Sequence, residues 1–147
     1  MPPITSRLGT TRVTQCRATS ATMNSPSSIS SRRSAPASTR AIADALGIAR
    51  DQVLLTYQSR FGRERWLQPY TQATLETLAR EGVRTIDVAC PGFAVDCLET
   101  LEEIAVENAH AFTAAGGEAL RYIPCLNAGD AHAQALAMLA RGKAGWA

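Results

Sequence analysis

The sequence predicts an α/β fold: a three-layer parallel sheet with flanking helices, preceded by a disordered segment. Three observations carry this expectation. From residue 41 onward, short β-rich apolar runs alternate with longer helical stretches, the arrangement that crossover connections between parallel strands produce. The chain has 147 residues, 46% of them hydrophobic and 19% charged, a globular composition with room for one domain core rather than two. The charge is unevenly spread: residues 1–40 hold six arginines and no acidic residue, whereas residues 41–147 hold nine basic and thirteen acidic side chains.

Residues 1–39 form the expected disordered segment. Residues 1–40 contain nine serines, seven threonines and four prolines among few large apolar residues, too little apolar surface to offset the entropy of ordering. An Arg- and Ser-rich, acid-free start also fits an organelle transit peptide, although Pro2, Pro3, Pro26 and Pro36 oppose an amphipathic helix. A shifted reading frame in GC-rich DNA gives the same composition.

Residues 40–147 form the expected α/β domain. Residues 41–46 read as the end of a helix stopped by Gly47, and Val53 to Tyr57 as a strand. Thr71 is placed to cap a helix through Leu75, Leu78 and Ala79 that ends at Gly82. Thr85 to Cys90 reads as a second strand closed by Pro91-Gly92. A long helix is expected from Asp96 to about Ala115, stopped by Gly116-Gly117, then a strand over Leu120 to Ile123 and a last helix over Ala131 to Arg141.

No apolar run approaches the ~20 residues of a membrane span, and residues 1–40 contain no aromatic side chain to accompany their arginines, which argues against a nucleic-acid arm. Cys16, Cys90, Cys97 and Cys125 have neither C-x-x-C spacing nor a zinc or iron–sulfur pattern. Free thiols in a reduced, cytoplasmic setting are the expectation, with Cys90 and Cys125 as small core residues at strand ends.

Ligands of open α/β sheets sit beyond the carboxyl ends of the strands, which directs attention to the segments after Tyr57, Cys90 and Ile123. The first, Gln58 to Tyr70, is long for a strand-to-helix connection and combines Arg60, Arg63 and Arg65 with Phe61, Trp66 and Tyr70. Guanidinium groups beside aromatic faces suit a flat, anionic, aromatic ligand, and equally the two aromatic rings of Phe61 and Trp66 suit a loop anchored to its domain. On the long helix, at about 100° per residue, Asp96, Glu99, Glu103 and Glu107 share one face opposite Leu98, Leu101, Ala105, Ala109 and Phe112. A solvated face explains such a row. Yet like charges at spacings of three and four repel with no interleaved cation, and hard oxygen donors in a row suit a divalent cation or proton transfer.

Three separated runs then resemble the C-terminal half of bacterial ferrochelatases, in order and at compatible spacing: Tyr57 to Thr71 (YQSRFGRERWLQPYT), Cys90 to Ile104 (CPGFAVDCLETLEEI) and Tyr122 to Asn127 (YIPCLN). The resemblance covers about residues 40–142. It implies a chelatase-like domain, one half of a two-domain fold with the porphyrin between the halves, and insertion of ferrous iron into protoporphyrin IX to give protohaem. It implies Glu99 as the catalytic residue, with Asp96, Glu99, Glu103 and Glu107 facing the metal. Trp66, Ser59, Gln58 and Arg60 would then face the porphyrin. Iron and protoporphyrin IX are substrates, no further cofactor is required, and no iron–sulfur cluster, nucleic-acid partner or transmembrane segment is expected. The family's Ser-x-His-Gly-x-Pro motif, expected shortly upstream of residue 40, is absent, and His110 and His132 match no family motif. The alternative is therefore a truncated or frameshifted, non-catalytic remnant with at most weak porphyrin or metal binding, left with an unpaired sheet edge where a neighbouring strand is lost.

Overall fold

The computed structural model of the chain describes residues 12–18, 26–58 and 67–142, with side chains over 35–58 and 67–142. The elements follow in the order β1 (Arg12–Ala18), α1 (Pro26–Leu46), a 3₁₀ turn (Arg50–Gln52), β2 (Val53–Gln58), α2 (Thr71–Arg80), β3 (Thr85–Ala89), a π-helix (Glu99–Asn108), α3 (Ala109–Ala114), β4 (Ala119–Ile123) and α4 (Asp130–Ala140). The strands form one parallel sheet in the order β2-β1-β3-β4. This is a small mixed α/β fold with a modest parallel sheet and flanking helices.

Two features differ from the disorder expected for residues 1–39. Strand β1 occupies the middle of the sheet, with Val13 to Ala18 paired to Val53 to Gln58 on one side and Arg12 to Gln15 paired to Ile86 to Ala89 on the other. Helix α1 begins at Pro26 and continues through Pro36. Composition averages over a segment, whereas a strand held on both sides gains a ladder of hydrogen bonds that a short run such as RVTQCRA can supply. Strand β1 lies between β2 and β3, and β2 and β4 are the outer strands.

The core explains the rest of the order. In β3 (TIDVA) Ile86 and Val88 point inward and are fully buried, while Asp87 between them faces the other way. There Asp87 meets Arg121, its register partner on β4, through two hydrogen bonds of 2.6 and 2.8 Å. Helix α2 buries Thr71, Leu75, Leu78 and Ala79, the i, i+4, i+7, i+8 stripe of an amphipathic helix. Leu75, Leu78 and Ala79 pack with Ile86, Val88, Cys90, Ile104 and Phe112 into the main cluster. A second cluster joins Ala35 of α1 to Tyr57 and Leu67. After α3, Gly116 takes φ +108°, and a Cβ on Gly117 would fall inside the ring of Phe112, so the chain can turn back into β4 only with glycine there. Thr71 is the first residue of α2 rather than its cap: Tyr70 holds that place, and the Thr71 hydroxyl donates to the Thr56 hydroxyl at 3.1 Å.

The long helix is where the structure departs most from a 3.6-residue reading. Asp96 precedes it, and ten residues, Glu99–Asn108, wind as a π-helix before α3 completes the element. The residues expected on its buried side do not all go inward: Leu98 is 75% exposed and Leu101 50% exposed. Phe112 is buried as expected, and Thr100, Ile104 and Asn108 join it in a row at constant spacing of four. In an α-helix such a row drifts around the axis. With i→i+5 bonding and more residues per turn, a spacing of four stays nearly in line.

Candidate functional site

The same winding aligns the carboxylates. Glu99, Glu103 and Glu107 sit one position before Thr100, Ile104 and Asn108, so the acidic row runs beside the buried one on the rim of the helix. Glu103 is half-buried; Glu99 and Glu107 are exposed. Glu103, Glu107 and Asn108 line a cavity of about 360 Å³ together with Tyr57 and Gln58 at the end of β2, Leu67 and Tyr70 of the following segment, and Thr71, Gln72, Ala73 and Glu76 of α2. The cavity lies beyond the carboxyl end of a strand, where open α/β sheets place their ligands. Its rim is acidic from both sides, although the Glu76 carboxylate is already engaged by Gln72 at 3.0 Å and Arg80 at 2.9 Å, which lower its pKa.

Gln58 joins the strand to the row. It is buried, its Nε2 donates to the backbone carbonyl of Glu99 at 2.9 Å, and its Oε1 accepts from the Cys90 thiol at 3.7 Å. Its amide is thus engaged inside the protein while the residue lines the cavity wall. Ser59, Arg60 and Trp66, the other residues expected to face a porphyrin, lie outside the described residues.

Asp96 behaves differently from the glutamates. It lies before the helix, and both carboxylate oxygens accept hydrogen bonds. Oδ1 takes the Tyr122 hydroxyl, the Cys125 amide at 3.2 Å and the Thr100 hydroxyl at 3.2 Å, and Oδ2 takes the Asn127 amide at 2.7 Å. Asn127, followed by Tyr122, holds the Asp96 carboxyl far below the ordinary carboxylate range. Burial, then the bond to Asp96, pushes the Tyr122 phenol up, and burial does the same to the Cys125 thiol. Glu99 is lowered more simply, by the Cys97 side chain and by its own backbone N–H, and is a carboxylate at neutral pH. Asp96 is thereby separated from the row of four that an α-helical periodicity suggests.

Among the described residues, no group of three or more His, Cys, Asp or Glu side chains converges so as to hold a metal ion. The glutamates form a line along the helix, not a cage. His110 is exposed, and His132, in the first turn of α4, directs Nδ1 at the Asn127 carbonyl of the preceding loop at 2.7 Å.

Sequence reasoning did not single out Asn108, Tyr122 or Asn127 as site residues. The Asn108 side-chain amide donates to the Glu103 carbonyl at 2.7 Å, and its buried Oδ1 has no partner among the described residues. The available signal for Asn127 was its place in the loop after the last strand, in a residue type that tolerates left-handed backbone; its φ is +50°.

The class of protein that this architecture defines has solved members. The fold is shared with the structure of a putative cobalamin (vitamin B12) biosynthesis CbiX protein from Marinobacter aquaeolei, with a TM-score of 0.56, 10% identity, and 90% of this chain and 96% of that one covered. The sequence narrows the class. The ferrochelatase family profile matches residues 31–144, and the chain belongs to the ferrochelatase family. It is 62% identical over 104 residues to a ferrochelatase of Stenotrophomonas maltophilia, covering 71% of this chain and 32% of that protein. With a ferrochelatase of Vibrio parahaemolyticus the identity is 57% over 107 residues, covering 73% and 33%. The chain therefore spans about a third of the length of the curated relatives it matches. Among the described residues no helix is long and apolar enough to cross a membrane.

Proposed function

We propose that this chain supplies the metal-facing wall of a ferrochelatase cleft, one half of a two-domain enzyme of the reduced cytoplasm, in which ferrous iron enters protoporphyrin IX to give protohaem. Glu99 is the catalytic carboxylate. Glu103 and Glu107 continue the oxygen row along which the hydrated metal approaches, and the Gln58 to Trp66 segment, with Ser59 and Arg60, borders the porphyrin. Two pyrrole N–H protons must leave the macrocycle as the metal enters, and the metal must lose water. An ionised carboxylate at position 99 accepts a proton or replaces a water oxygen, and hard oxygen donors suit a ferrous ion. Asp96 stands outside the ligating set of this proposal because its oxygens are already engaged.

What supports the reading is that Glu103 and Glu107 line one cavity with Gln58, Leu67 and Tyr70; the Glu99 side chain lies outside that lining, and its backbone carbonyl accepts from Gln58. The acidic row and the start of the arginine–aromatic segment meet at one place. The test offers purified chain zinc and protoporphyrin IX and follows metalloporphyrin fluorescence. Steady growth that Glu99→Ala abolishes supports the enzymatic reading. Metal or porphyrin binding without turnover in the same assay counts against it.

A further inference from the structure

The loop between β4 and α4 grips Asp96, just before the acidic helix, and the grip is reciprocal. Asn127 Nδ2 donates to Asp96 Oδ2 at 2.7 Å while Asn127 Oδ1 accepts from the Asp96 backbone N–H at 2.8 Å. The same Nδ2 reaches the Cys125 carbonyl at 3.0 Å, and the Asn127 backbone N–H donates to the Ala94 carbonyl at 3.0 Å. Asn127 does this from a left-handed backbone (φ +50°), a conformation that only a few residue types adopt readily. On the other side of Asp96, its Oδ1 accepts from the Thr100 hydroxyl at 3.2 Å, and that oxygen in turn accepts from the Cys97 N–H at 3.0 Å. The bracket from Asp96 to Thr100 encloses Glu99.

We propose that Asn127 is a positioning residue for Glu99: acting through Asp96 and Thr100, it fixes the first turn of the π-helix and so the place of the Glu99 carboxylate over the cleft. Gln58 holds the Glu99 carbonyl from the strand side, so the turn is gripped from β2 and from the β4 loop together. The importance of Glu99 rests on the proposed function; the grip itself does not. A carboxylate on an exposed side chain points usefully only if its backbone is fixed, because a displacement of about an ångström costs about a hundredfold in rate.

The experiment uses the full chain and the variant Asn127→Gly, which deletes the amide while accepting φ +50° without strain. Amide hydrogen exchange is followed at Thr100 and Leu101, whose N–H groups bond to the Cys97 carbonyl. Paramagnetic relaxation by Mn²⁺ is followed at the Glu99 and Glu107 carboxyls. Expected are exchange about tenfold faster at Thr100 and Leu101 and Mn²⁺ relaxation about fivefold weaker at Glu99, with relaxation at Glu107 little changed and the melting temperature lowered but unfolding still cooperative. Asn127→Asp, which keeps the acceptor for the Asp96 N–H but loses the donor to Asp96 Oδ2, should move the same readouts in the same direction, and it decides the matter if the glycine variant does not fold. Unchanged exchange at Thr100 and Leu101, or equal loss of relaxation at Glu99 and Glu107, overturns the proposal. If the unsubstituted chain shows no Mn²⁺ relaxation at any carboxyl, the metal-facing reading fails, and the exchange measurement still decides the role of Asn127.

Discussion

Asp96 and Glu107 belong to one run of carboxylates in the sequence, yet the fold treats them in opposite ways. Asp96 accepts from a phenol, a hydroxyl, a side-chain amide and a backbone N–H, and is part of the joint between β4 and the π-helix. Glu107 is exposed at the rim of the cavity between the π-helix and α2. Charge and helical spacing are the same kind of information for both. What separates them is the set of donors that other segments bring, and that set is complete around Asp96. A carboxylate saturated with donors holds structure together; one left at a cavity rim is available to a cation or a proton.

The comparison can be sharpened by substitutions, beginning with the packing beneath both ends of the helix. Phe112 is fully buried on the row that includes Thr100, Ile104 and Asn108, so Phe112→Ala should destabilise the chain by about 3–5 kcal/mol in urea unfolding. Gly117→Ala should cost about 1–3 kcal/mol, because its new methyl meets the Phe112 ring, which is fully buried in the main cluster. A Gly117→Ala chain as stable as the parent would show that the turn after α3 can shift, and with it the helix on which the row lies.

At the Asp96 end the expected signature is a dependence on pH. Its carboxyl is depressed in the folded chain, so its contribution is present above the unfolded value of about 4 and is lost as pH falls below that toward the folded value. Thermal unfolding of the parent should therefore weaken steadily below about pH 4. Asp96→Asn, whose new amide would face the Asn127 amide donor to donor, should lower Tm at pH 7 and flatten that slope. An unchanged slope would assign the acid sensitivity to other carboxylates. At the far end of the row, Glu107→Gln should change stability by no more than about 0.5 kcal/mol, with a slight gain at low salt as like charges are diluted. A loss larger than that for Glu107→Gln would remove the distinction between the two ends.

Much of the framework follows from local pattern. The alternation in TIDVA, the stripe of Leu75, Leu78 and Ala79, and the glycines at 82 and 116 place strand, helix and stops within a residue or two, because burial period and left-handed backbone are properties of short segments. The Gln58 to Tyr70 and Pro124 to Asp130 segments were likewise legible as the loops to examine, since they follow strand ends. Three things were not. Strand β1 is a strand because β2 and β3 pair with it, and nothing in RVTQCRA announces two partners. The ten-residue π-helix shifts the inward row from the Leu98 and Leu101 side to Thr100, Ile104 and Asn108, a change of winding that a 3.6-residue period cannot express. And the engagement of Asp96 depends on Tyr122, Cys125 and Asn127, about thirty residues away in the chain.

The sequence by itself determined which residue types were on offer: a row of carboxylates at helical spacing, a segment of arginines and aromatics after a strand, and the glycines that stop the helices. Periodicity and turn chemistry act over a few residues, so they can be read without the fold. The tertiary structure alone decided which carboxylate became a joint and which stayed at the cavity. That choice is made by hydrogen-bond donors from distant strands and by the winding of one helix, and both exist only once the sheet has assembled.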